Sequence, residues 1–92
     1  MPALSQPEIA SHLSALSAWQ IQTGVLTRTF QFEDFRSAMR FVNAVAELAE
    51  SAGHHPDIDI RYNKVRLGLV THDAGGITEK DFDLAKNADR LN

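Results

Sequence analysis

The feature that most restricts this chain is an apolar helical stripe set between two alternating segments. Phe35, Ala38, Met39, Val42, Val45, Ala46 and Ala49 recur at helical spacing, while Arg36, Arg40, Asn43, Glu47 and Glu50 take much of the remaining surface. Asp34 can cap the start of this helix, and Gly53 is suited to end it in a left-handed conformation. Before it, residues 19–22 and 25–32 read as two strands meeting at Thr23-Gly24, with Leu26, Phe30 and Phe32 on one face. After it, Ile58, Ile60 and Tyr62 alternate with Asp57, Asp59 and Arg61, and Asn63-Lys64 can turn that strand back into residues 65–71. A one-sided helix between two hairpins buries its stripe by lying against the sheet they form.

The flanks complete the order. Ser5 and Glu8 fit a capping box, followed by Ile9, His12, Leu13 and Leu16 on one face of a short helix. Thr78 caps a last helix carrying Asp81 three residues on, then Phe82, Leu84, Ala85, Ala88 and Leu91. The expectation is one α+β domain over 1–92 in the order α-β-β-α-β-β-α, with helices packed on one face of an antiparallel sheet. Two residues strain the pattern. Arg28 shares the parity of Leu26 and Phe30, which predicts an edge position or an irregular strand. His72 has the parity opposite to Val65, Leu67 and Leu69, so it projects away from the core unless the strand has already ended.

Composition removes several classes of function. The chain has 92 residues, enough for one core but not for a separate cofactor-binding domain. Having no cysteine, it cannot use a disulfide framework, a thiolate zinc site or a cysteine nucleophile. The net charge of −3, without a basic run, argues against direct binding to nucleic acid. No basic-then-apolar leader and no membrane-length apolar run is present, so a cytoplasmic protein independent of the membrane is expected.

Three of the four histidines, His54, His55 and His72, fall at the ends of predicted elements. Imidazole gains and loses a proton near neutral pH, so such a group points to acid–base chemistry or a metal site. The pair at 54–55 also has a simpler reading, interaction with the terminal carbonyls of the preceding helix. Pro56 bears on this, because a residue before proline is pushed into extended geometry. Taken alone, His72 reads as a solvated strand-end residue, His12 as structural, and Asp81 as a first-turn helix residue. Glu50 lies against the dipole in the last turn of its helix. Zinc would take three histidines with a carboxylate such as Asp57, Asp59 or Asp73, but the spacing resembles no helix-borne His-Glu-x-x-His pair. No serine sits in a nucleophile-elbow context, and Gly75-Gly76 lacks the residues of a phosphate loop.

The combined pattern is more specific. Glu50-x-x-x-His54-His55-Pro56-Asp57, then Tyr62-Asn63-Lys64-Val65, then Thr71-His72-Asp73-x-Gly75-Gly76-Ile77-Thr78-x-x-Asp81 resembles the pterin-4a-carbinolamine dehydratase family, also known as dimerisation cofactors of a homeodomain transcription factor. The resemblance spans roughly residues 19–91 and implies a four-stranded antiparallel sheet with three helices on one face. It implies a hydro-lyase that removes water from a 4a-hydroxytetrahydropterin to give quinonoid dihydropterin in tetrahydrobiopterin recycling, without metal or organic cofactor. His54 and His72 would be the acid–base groups and His55 would bind and orient the pterin, with Glu50 and Asp81 as supporting carboxylates. Pro56, Thr71 and Asp73 would complete the substrate site. Ile58 stands where the family usually has a pocket-wall tryptophan, which predicts altered pterin affinity or side-chain preference. The family implies homodimers or homotetramers. Its coactivator role in animals, and divergent members that act as enzyme-assembly factors, make a non-catalytic protein-binding module the alternative. Such assembly factors tend to lose the histidine set, which this chain keeps.

Overall fold

Two hairpins supply the sheet, and the helix between them covers it. The computed structural model describes residues 2–92. In order these form α1 (Gln6–Leu13), β1 (Gln20–Gln22), β2 (Val25–Gln31), α2 (Phe35–Ala52), β3 (Asp57–Arg61), β4 (Lys64–Leu69), a short 3₁₀ turn (His72–Ala74) and α3 (Glu79–Leu91). The strands lie in the order β1-β2-β4-β3, with every neighbouring pair antiparallel. The two hairpins therefore meet at β2 and β4, while β1 and β3 are the edges.

The caps form as their residues dictate. The Ser5 hydroxyl accepts from the Glu8 backbone and Glu8 accepts from the Ser5 backbone, closing the capping box. Asp34 accepts from the Ser37 backbone N–H at 2.8 Å. Gly53 takes φ 61°, and the Gly53 and His54 N–H groups turn back to the carbonyls of Glu50 and Ala49. This paired closure lets a glycine satisfy the last carbonyls of a helix.

Leu26 and Phe30 of β2 and Val65, Leu67 and Leu69 of β4 face the helices and are buried. They pack with Ala38, Phe41, Val42 and Val45 of α2 and with Phe82, Leu84, Ala85 and Ala88 of α3. The opposite face of the sheet is polar, with Gln20, Gln22, Thr29, Gln31, Lys64 and Arg66 exposed. Alternation thus divides the sheet into a core face and a solvated face.

Three local expectations change and one is sharpened. The stripe of α2 is rotated toward Phe41, whose ring lies 4.5 Å from that of Phe30 and 5.0 Å from that of Phe32, while Phe35 and Ala46 are exposed. Tyr62 leaves the strand. Arg61 pairs with Lys64, so Tyr62 and Asn63 form the turn, with Tyr62 at φ 52° and its ring exposed. Arg28 lies on the interior strand β2, opposite Leu67 of β4 and one residue past Thr27, where the pairing with β1 ends. It is accommodated there by an ion pair with Asp89 of α3 at 2.6 Å and by the Phe30 ring, 4.1 Å from its guanidinium carbon. The same Asp89 oxygen accepts from the Trp19 indole N–H at 2.9 Å, so one carboxylate serves both the buried indole and the half-buried guanidinium. Leu16 is buried but lies beyond α1, which ends at Leu13.

Candidate active site

The end of α2 and the end of β4 deliver histidines to one cleft. The αL closure at Gly53 takes the chain out of α2 with the His54 backbone tied to Ala49, and Pro56 follows two residues later. β4 ends at Leu69. Thr71 then bridges to Gly76, and residues 72–74 form the 3₁₀ turn closed by Gly75 at φ 74°. The strand has thus ended before His72, so strand parity does not set its direction. An open cleft of about 270 Å³ lies between these segments, lined by Gly53, His54, His55, Val70, Thr71, His72 and Asp73.

The two adjacent histidines have different partners. His54 Nε2 lies 2.5 Å from Asp81 Oδ1, with the imidazole 12% exposed and the carboxylate fully buried. His55 Nε2 pairs with Glu50 Oε2, and these side chains are 63% and 74% exposed. His72 is exposed at the start of its turn; its carbonyl accepts from the Gly75 N–H, but its imidazole forms no hydrogen bond or ion pair among the described residues.

Asp81 divides its two oxygens between two tasks. Oδ2 accepts from the Thr78 backbone N–H at 2.9 Å, completing the capping box of α3, and from the Thr71 hydroxyl at 2.9 Å. Oδ1 holds His54. The first-turn reading of Asp81 thus accounts for one oxygen, and the other meets His54. No buried side-chain polar atom lacks a partner among the described residues.

The cleft brings together His54, His55, Thr71, His72 and Asp73 from the sequence-based set. Asp81 stands behind His54, Glu50 flanks His55, and Pro56 does not line the cleft. Gly53 and Val70 line it without having been anticipated. Thr78, expected only as a helix cap, also belongs to the hydrogen-bonded group, with its hydroxyl 2.8 Å from that of Thr71. Ile58 pairs with Leu67 across the sheet, packs against the core and does not line the cleft. Its replacement of a pocket-wall residue is thus not visible in the histidine cleft of this chain. No group of three or more histidine or carboxylate side chains converges as metal ligands among the described residues.

Three helices over one face of a four-stranded antiparallel sheet, with an imidazole cleft at the strand and helix ends, define a small α+β protein class represented among solved structures. A transcriptional coactivator/pterin dehydratase from Brucella melitensis superposes with a TM-score of 0.93 at 35% identity, covering 97% of each chain. A pterin dehydratase-like protein described as a RuBisCO assembly factor in the alpha-carboxysome matches with a TM-score of 0.65 at 27% identity, covering 79% of this chain and 84% of that one. The family model for pterin 4 alpha carbinolamine dehydratase matches residues 2–91, and the chain belongs to this family. A relative from Acidobacterium capsulatum, provisionally named pterin-4-alpha-carbinolamine dehydratase, is 59% identical over 99% of both chains. One from Nostoc sp. with the same provisional name is 54% identical over 97% of this chain and 96% of its own.

Proposed function

We propose that this protein is a 4a-hydroxytetrahydropterin dehydratase acting by histidine acid–base catalysis. The elimination protonates the 4a-hydroxyl and removes the proton on ring N5. The C4a–O bond breaks, the C4a–N5 double bond forms, and the products are water and quinonoid dihydropterin. Positioned imidazoles suit both proton transfers. His54 and His72 are the two proton-transfer groups, and His55 binds and orients the flat heterocycle. Asp81 orients His54 and Glu50 orients His55, while Asp73 supports binding at the cleft. The reaction runs without metal or organic cofactor, as a hydro-lyase step that returns spent tetrahydropterin to use in the cytoplasm.

The observation that carries this reading is the cleft itself, where a nearly buried, carboxylate-held imidazole shares one space with a second imidazole that has no partner among the described residues. A protein-assembly role on the same fold is the second reading, favoured by the likeness to the assembly-factor structure.

The test is to generate the carbinolamine with a phenylalanine hydroxylase and follow its decay with and without this protein. Acceleration at catalytic concentrations, unaffected by a chelator, is expected. His72→Ala is expected to lower the rate by about 10²- to 10⁴-fold, the range of general acid–base contributions. A folded wild type that gives no acceleration would overturn the enzyme reading in favour of assembly, and loss of activity on chelation would overturn the metal-free chemistry.

A further inference from the structure

Two threonine hydroxyls stand behind the His54–Asp81 pair, and counting hydrogens gives the chain a direction. Thr71 Oγ1 lies 2.9 Å from Asp81 Oδ2 and 2.8 Å from Thr78 Oγ1. Each hydroxyl has one hydrogen to donate, and a carboxylate only accepts. The Thr71 hydrogen therefore goes to Asp81, and the Thr78 hydrogen goes to Thr71. Thr78 Oγ1 in turn accepts from the Lys80 backbone N–H at 3.3 Å. With the Thr78 backbone N–H at 2.9 Å, Oδ2 has two donors, and Oδ1 is the oxygen that meets His54 Nε2. Thr78 and Asp81 are fully buried, so water does not substitute for the Thr78 groups.

We infer that Thr71 and Thr78 are positioning residues that act on His54 through Asp81. Together they fix the rotation of the carboxylate, which fixes the plane of the imidazole and makes Nε2 its protonated nitrogen. In the neutral ring Nδ1 is then the nitrogen that accepts a proton. Thr71 lines the cleft, but its hydrogen is committed to Asp81, so its part is to hold His54 rather than to grip substrate. The effect on turnover rests on the dehydratase reading above, whereas the state of the ring does not.

The test has two arms. In the first, ¹⁵N-edited spectra of the wild type without ligand, recorded across a pH series up to the point at which the ring is neutral, report the His54 tautomer. Protonation of the neutral ring at Nε2 is expected, and protonation at Nδ1 would overturn the inference whether or not the protein is an enzyme. In the second, Thr71→Val removes the hydroxyl at nearly constant volume and leaves the Thr78 side chain in place to cap α3. Its kcat is expected to fall about 10- to 100-fold with KM unchanged, as for imidazoles that lose an orienting partner, and Thr71→Ser to restore it. A raised KM with kcat intact would make Thr71 a substrate contact and overturn the inference, as would no change in either constant. Should Thr71→Val fail to fold, Thr71→Ser and the wild-type spectrum still decide the matter: a serine variant with wild-type kcat supports it, and one with lost activity and an altered ring state counts against it. If the wild type turns over nothing, the dehydratase reading falls while the first arm still tests the geometry.

Discussion

His54 and His55 are neighbours in sequence, and each places Nε2 against a carboxylate, yet only one pair is built into the fold. Asp81 comes from α3, 27 residues away, and is buried with hydrogen bonds on both oxygens. Glu50 comes from the same helix end, five residues back, and both of its pair's side chains face solvent. Where two pairs have the same chemistry, burial and the number of further partners decide which one holds a fixed geometry. A solvated pair exchanges partners with water and contributes little, whereas breaking a buried pair leaves a polar group with nothing to replace its partner.

The largest expected effect is at Asp81. Asp81→Ala removes the His54 partner and the capping-box acceptor of α3 together, and denaturant unfolding should show a loss of roughly 3 kcal/mol. The matching change on the other pair, Glu50→Ala, should leave stability within about 0.5 kcal/mol of wild type. Equal losses for the two variants would erase the distinction between the pairs.

The smallest expected effect concerns a carboxylate that caps a helix with no imidazole attached. The Ser37 backbone N–H, aided by the Ser37 side chain, holds the Asp34 carboxyl below the ordinary aspartate value. A carboxyl held low in the folded state stabilises it above the unfolded value, about 3.9, and that contribution is lost as pH falls through the folded value. Asn is also a good N-cap but does not ionise in this range. The stability difference between wild type and Asp34→Asn should therefore be constant near neutrality and shift against the wild type only on acidification. A difference that does not vary with pH in denaturation series would show that the cap is indifferent to charge.

Much of this molecule was legible because its signals are local. The capping residues Ser5, Asp34 and Thr78 and the left-handed Gly53 each act within about one turn, so the sequence order alone exposes them. What holds Arg28 is not legible in sequence because its partner, Asp89, lies 61 residues away, and parity cannot say that a charge on the core face will be met. Phe41 was passed over for Phe35 because both lie near the edges of the helical stripe, and only contact with Phe30 and Phe32 separates them. In the cleft, residue types and spacing pointed to the histidines. They could not separate the buried pair from the exposed one. From residue type and spacing Asp81 reads as a helix cap, the resemblance alone makes it a supporting carboxylate, and its pairing with His54 becomes visible only when α3 packs behind that ring.

The most direct measurement sets His54→Ala beside His55→Ala in the dehydration of enzymatically generated carbinolamine. The His54 variant should lose about 10²- to 10⁴-fold in kcat, while the His55 variant should keep most of its kcat and show a raised KM. A His54 variant with kcat near wild type, or a His55 variant that loses as much, would contradict the assignment of proton transfer to the buried imidazole.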